Sequence, residues 1–122
     1  LPLIYQGIPS AKRREAVLNA LERVEMVDRM LHHPTELSGG QQQRTAIARA
    51  IATRAPIIMA DEPTGALDSK TGMSIMDTLA QLNREGSTII VITHDHAVSQ
   101  RAHRIISLKD GLIVGDTMRE AV

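Results

Sequence analysis

Two apolar runs, IIMA at 57–60 and TIIVIT at 88–93, constrain this chain more than any other feature. Both are too short for helices, and neither alternates apolar with polar as a half-exposed strand does. Continuous apolar strands are those covered on both faces, the usual condition of parallel sheets. Between the runs, residues 69–85 set Ile75, Met76, Leu79 and Leu82 on one helical face, and Gly86 stops the helix. Strand, helix, strand in that order predicts a right-handed crossover between parallel strands, hence an α/β fold.

The rest of the chain is compatible with one modest domain of 122 residues. Its core must be aliphatic, because Tyr5 is the only aromatic residue. LPLIYQG at the start reads as extended or irregular, broken by Pro2 and Gly7. Pro9-Ser10 opens a helix with Ser10 as N-cap, and Val17, Ala20, Leu21, Val24 and Val27 form its apolar face. The charged residues Lys12 to Glu15, Glu22 and Arg23 make its solvated side. VDRML is a short helical piece ended by His32-His33-Pro34. A second helix runs from about Gly40 to Arg54, with Ala46, Ile47, Ala50 and Ile51 as a narrow stripe. After His94 a short helix leads to RIISL and LIVGD, a hairpin turning at Asp110-Gly111.

Lys plus Arg equal Asp plus Glu at 14 each, so composition offers no electrostatic case for nucleic acid or anionic lipid. The absence of cysteine excludes disulfides and thiolate metal sites. No apolar run approaches the roughly 20 residues of a membrane span. The chain starts at Leu1 without an initiator Met, which suggests a piece of something longer.

Three segments carry chemistry. In ELSGGQQQR, Ser38 stands at a helix N-cap, and Gly39 and Gly40 leave room for close approach of a ligand. The unpaired first-turn N–H groups and the helix dipole make such a start an anion site. In IIMADEPTGALD, a strand delivers Asp61 and Glu62 at its C-terminal end, the edge where ligands bind in parallel sheets. Adjacent strand residues point to opposite sides, so the two carboxylates have different tasks. Asp61 can hold Mg²⁺, and Glu62 can polarise an attacking water as a general base. In TIIVITHDH, His94 follows the second strand and can donate to a phosphate oxygen. His94 and His96 can also be read as a His-x-His metal pair, for which no third ligand stands out. Residues 65–71, GALDSKT, are not a phosphate loop: that motif needs Gly, four residues, then Gly-Lys-Ser/Thr, and Lys70 falls where the second glycine belongs.

The string LSGGQQQR closely resembles the signature sequence of the ATP-binding cassette (ABC) ATPases. IIMADE resembles the Walker B strand of that family, PTGALD its D-loop, and His94 its switch histidine. DEPTGALDSKTG, with LPLIYQG, is most similar to the branch of macrolide exporters and lipoprotein-releasing ATPases.

The resemblance implies a P-loop NTPase-like α/β fold, present in part: the C-terminal half of an ABC nucleotide-binding domain. Residues 1–36 would belong to its helical subdomain. Residues 37–122 would form the signature helix and catalytic core, with a mostly parallel sheet. The phosphate loop, the adenine-stacking aromatic and the glutamine loop are not in the sequence, and Gln6 lies in the wrong context to replace the last. The absent strands would leave sheet edges and apolar surface uncovered.

The implied cofactors are ATP and Mg²⁺, with Asp61 on the metal and Glu62 and His94 catalytic. Ser38, Gly39, Gly40, Gln41 and Asp68 would serve a nucleotide shared with a second nucleotide-binding domain, in a head-to-tail homodimer. The other implied partner is a transmembrane permease, subunit or domain, and not nucleic acid. The place would be cytoplasmic, on the inner face of the cell membrane. Two alternatives stand beside the transport ATPase: an inert truncated or docking module, and an ABC ATPase outside transport.

Overall fold

The computed structural model describes residues 1–120. Helix α1 (Pro2–Tyr5) is followed by α2 (Ser10–Arg23), 3-10 turns at Val27–Arg29 and Pro34–Glu36, and α3 (Gly39–Ala52). Then come β1 (Ile57–Asp61), α4 (Ser69–Arg84), β2 (Thr88–Ile92) and α5 (His96–Ser99). Strands β3 (Arg104–Lys109) and β4 (Leu112–Met118) close the described chain.

Strands β1 and β2 pair in parallel, from Ile57 opposite Thr88 to Asp61 opposite Ile92, with α4 as the connection. The expected strand–helix–strand order with parallel pairing is therefore present. Its helix turns Ile75, Met76, Leu79 and Leu82 inward, as their spacing requires. They join Ile58 and Ala60 of β1, Ile47 and Ala48 of α3, and Ala20, Val24 and Met26 from and just after α2 in one aliphatic core. Ile75 is fully buried at its centre.

Strands β3 and β4 form a separate antiparallel pair. Its two-residue turn has Asp110 at φ 49 and Gly111 at φ 77. Positive φ at both turn positions matches the right-handed twist of the flanking strands. Arg104 grips Asp116 across the hairpin with two bonds of 2.9 and 2.8 Å.

Three local expectations change. LPLIYQG is not extended: Pro2 begins one helical turn, where its missing N–H costs nothing, and Leu3 is buried. Ser10 is the first residue of α2, not its cap; Pro9 holds the cap position with no side-chain bond. The parallel strands are covered on one face only. Ile58 and Ala60 meet the core, whereas Ile57, Met59, Ile90 and Ile92 are exposed. Helix α4 covers one side, and no described element covers the other.

Candidate functional site

Strand β1 delivers two carboxylates at its end and separates them. Asp61 shares the open sheet face with Ile57 and Met59. The N–H of Glu62 still donates to Ile92 O at 2.8 Å, extending the strand pairing by one residue. The backbone then turns left-handed, with Glu62 at φ 45, an uncommon conformation for a side chain of this length. That turn carries the Glu62 carboxylate to the residues just after β2. Its Oε1 lies 2.6 Å from His94 Nδ1 and accepts from His94 N–H at 3.1 Å. Its Oε2 accepts from the Thr93 hydroxyl at 3.3 Å. Thr93 Oγ1 in turn accepts from Asp95 N–H, and Asp95 caps α5.

Sequence reasoning placed Glu62 and His94 at one sheet edge but did not anticipate their direct contact, and it missed Thr93. The signal was available: a Thr-His pair directly after a parallel strand lies level with whatever follows its neighbour.

The contact sets the charge state of both groups. The hydrogen bond from the His94 side chain, aided by its N–H, its charge and Thr93, holds the Glu62 carboxyl below its ordinary range. The same bond, with the negative charge of Glu62, raises the His94 imidazole above its own. Glu62 is stabilised folded in its ionised form, and this contribution disappears as pH falls through its lowered pKa. His94 is stabilised in its protonated form, and this contribution disappears as pH rises through its raised pKa. The pair thus contributes between those two limits. Following the His94 ring protons by NMR against pH should give a midpoint above that of an ordinary histidine. Glu62→Gln should bring it down; an unchanged midpoint would show that the two side chains are apart in solution.

The signature segment forms the start of α3. Ser38 Oγ accepts from Gln41 N–H at 3.2 Å, and Gln41 Oε1 accepts from Ser38 N–H at 3.0 Å. This reciprocal capping box fixes the first turn. It leaves the N–H groups of Gly39 and Gly40 without intrahelical partners, as at any helix start. Arg44, the last residue of LSGGQQQR, ties the helix to its surroundings. It donates to Val24 O and Glu25 Oε2 beyond α2 and, at 2.7 Å, to Ser74 Oγ on α4. Sequence reasoning assigned Arg44 no such role.

Beside the ligand approach expected of it, Gly40 has a packing neighbour. It is buried, and a Cβ there would stand 2.5 Å from Thr71 Cγ2, so its lack of a side chain accommodates α4. Asp68 caps α4, accepting from Thr71 N–H at 3.0 Å. Hydrogen bonding from Thr71, through its side chain and its N–H, keeps the Asp68 carboxyl below its usual range. The starts of α3 and α4 therefore meet, with the loop after Glu62 leading into their junction. Among the described residues no hydrogen bond links Ser38–Gln41 directly to Glu62 or His94.

Among the described residues no group of three or more His, Cys, Asp and Glu gathers as a metal cage, so His94 and His96 gain no third ligand. Asp61 as a single carboxylate suits Mg²⁺, which is commonly held by one or two carboxylates, waters and phosphate oxygens.

The family model described as "ABC transporter" matches residues 5–65. The chain belongs to the ABC transporter family. Over 114 residues it is 54% identical to the Bacillus subtilis (strain 168) protein described as "Uncharacterized ABC transporter ATP-binding protein YknY", covering 93% of this chain and 50% of that protein. Over 116 residues it is 50% identical to the macrolide export ATP-binding/permease protein MacB 1/2 of Paracoccus denitrificans (strain Pd 1222), covering 95% of this chain and 17% of that protein. The chain thus spans half of one relative and a small part of the other. Among solved structures it superposes on the ATP-binding cassette MJ0796, a dimer in a post-hydrolysis state bound to ADP and Pi. The TM-score is 0.84 at 46% identity, over 100% of this chain and 55% of that one. As an ABC ATP-binding segment similar to export proteins, the chain has the partial α/β fold expected from its motifs.

Proposed function

We propose that this ABC transporter segment is the signature-bearing and carboxylate-bearing half of a nucleotide-binding domain that hydrolyses ATP to drive export. Residues 1–36 are part of its helical subdomain, and residues 37–122 carry the signature helix and catalytic core. The single observation that carries this reading is the contact of Glu62 with His94, just beyond the ends of two parallel strands. It puts a carboxylate and a proton donor at the edge where parallel sheets bind ligands.

Glu62 accepts a proton from the attacking water, and His94 donates to the γ-phosphate and steadies that water. Asp61 holds Mg²⁺, whose positive charge offsets that of the phosphates. The Ser38-capped start of α3 turns its free N–H groups to a nucleotide held by a second copy, head to tail. Gln41 holds that start in place, and Asp68 lies at the seam between copies. The dimeric state of the MJ0796 cassette and its ADP and Pi support this arrangement. The fused ATP-binding/permease organisation of MacB supports a membrane partner, and with it a cytoplasmic position on the inner face of the membrane.

Because the phosphate loop is missing from these residues, the 122-residue chain alone should release no measurable phosphate from ATP and Mg²⁺. A complete cassette containing it should hydrolyse ATP and co-purify with a permease. Hydrolysis by the 122 residues alone, or no hydrolysis by the complete cassette, would sink the proposal.

A further inference from the structure

We infer that Thr71 is a positioning residue that locks the start of the signature helix to the Asp68 loop, and that Gly40 is bare to receive it. This rests on the proposed nucleotide role but adds a part to it: a mechanical tie, within one chain, between two segments that both face the shared nucleotide.

The contacts run through Thr71 in both directions. Its N–H is bonded to Asp68 Oδ2 at 3.0 Å. Its methyl occupies the space that a Gly40 side chain would need, 2.5 Å from the position of a Cβ. A β-branched residue has few rotamers to retreat into, so the clash cannot be relieved cheaply. Leu67, next to Asp68, completes the junction: its Cδ2 lies 3.5 Å from where a Gly39 Cβ would be and 3.8 Å from that of Gly40. Directly after Thr71, Gly72 lets α4 approach Thr64, whose Cβ would stand 3.3 Å from an added Cβ. The loop from Glu62 to Asp68 is thus pressed between two helix starts, and a shift of either displaces it. The two glycines of the signature differ. An added methyl at Gly39 meets only ordinary van der Waals contact, whereas one at Gly40 forces α3 and α4 apart.

The test uses the complete cassette, with Tm and ATP-driven dimerisation measured on each variant. Gly40→Ala should lower Tm by about 5–10 °C and weaken dimerisation by about tenfold or more. Gly39→Ala should hold its Tm within about 2 °C. Thr71→Ser removes the obstructing methyl and keeps the hydroxyl and N–H. The double variant Gly40→Ala/Thr71→Ser should therefore recover both Tm and dimerisation.

Recovery of Tm without dimerisation would show the packing but assign the lost dimerisation to ligand approach at Gly40, and would overturn the positioning role of Thr71. So would a double variant no better than Gly40→Ala, or one that also fails to fold when Gly40→Ala does. If the wild-type cassette itself never dimerises with ATP, the proposed function fails, while the Tm values still decide the packing of Thr71 on Gly40.

Discussion

In the complete cassette, Glu62→Gln should retain ATP binding, lose hydrolysis by about 100-fold or more and accumulate as an ATP-bound dimer. Glutamine has nearly the shape of glutamate and can keep its one acceptor oxygen towards the His94 N–H, with its amide NH2 turned to the Thr93 hydroxyl, which can also accept. What it loses is the ability to take a proton from water. Binding and closure should survive, and the chemical step should not. Phosphate release measured beside size-exclusion profiles in ATP separates the two. Turnover near the wild-type rate would remove Glu62 from the role of base.

Ile75→Ala should be the most damaging single change to the fold. Ile75, on α4, is completely buried in the core that this helix shares with the parallel strands and the α2–α3 pair. Truncation there leaves a cavity that the surrounding residues close only in part. The expected cost is about 2–5 kcal/mol. The control is Ile113→Ala on β4, where the side chain is largely exposed and the change should stay within about 0.5 kcal/mol. Denaturant melts of both variants give the comparison. Equal midpoints would show that the core does not centre on α4.

The parts of this fold legible in the sequence are those set by short-range patterns. The apolar face of α4 follows from side-chain spacing, the turn at Asp110-Gly111 from backbone conformation, and the α3 start from its serine cap. The site was legible as a set of motifs more than as a geometry. Asp61 and Glu62 at a strand end, and His94 after the next strand, could be placed on one edge by topology alone. The left-handed turn at Glu62 could not, because it depends on where β2 ends and on what Thr93 and His94 offer the carboxylate. The packing of Gly40 was not legible for a related reason. A glycine beside an anion-binding helix start suggests room for a ligand, but its neighbour here is Thr71, 31 positions away in sequence and fixed by α4. The strands mislead in the opposite direction: their sequences are apolar on both faces, and the described elements cover one.

Both oxygens of the Glu62 carboxylate have partners, His94 on one and Thr93 on the other, yet the second carries a single bond and the side chain stays partly open to solvent. The two partners aim the carboxylate without sealing it. In the proposed reaction a water would reach the oxygen that Thr93 alone steadies, and a γ-phosphate, more highly charged than a carboxylate, would compete with the other oxygen for the histidine.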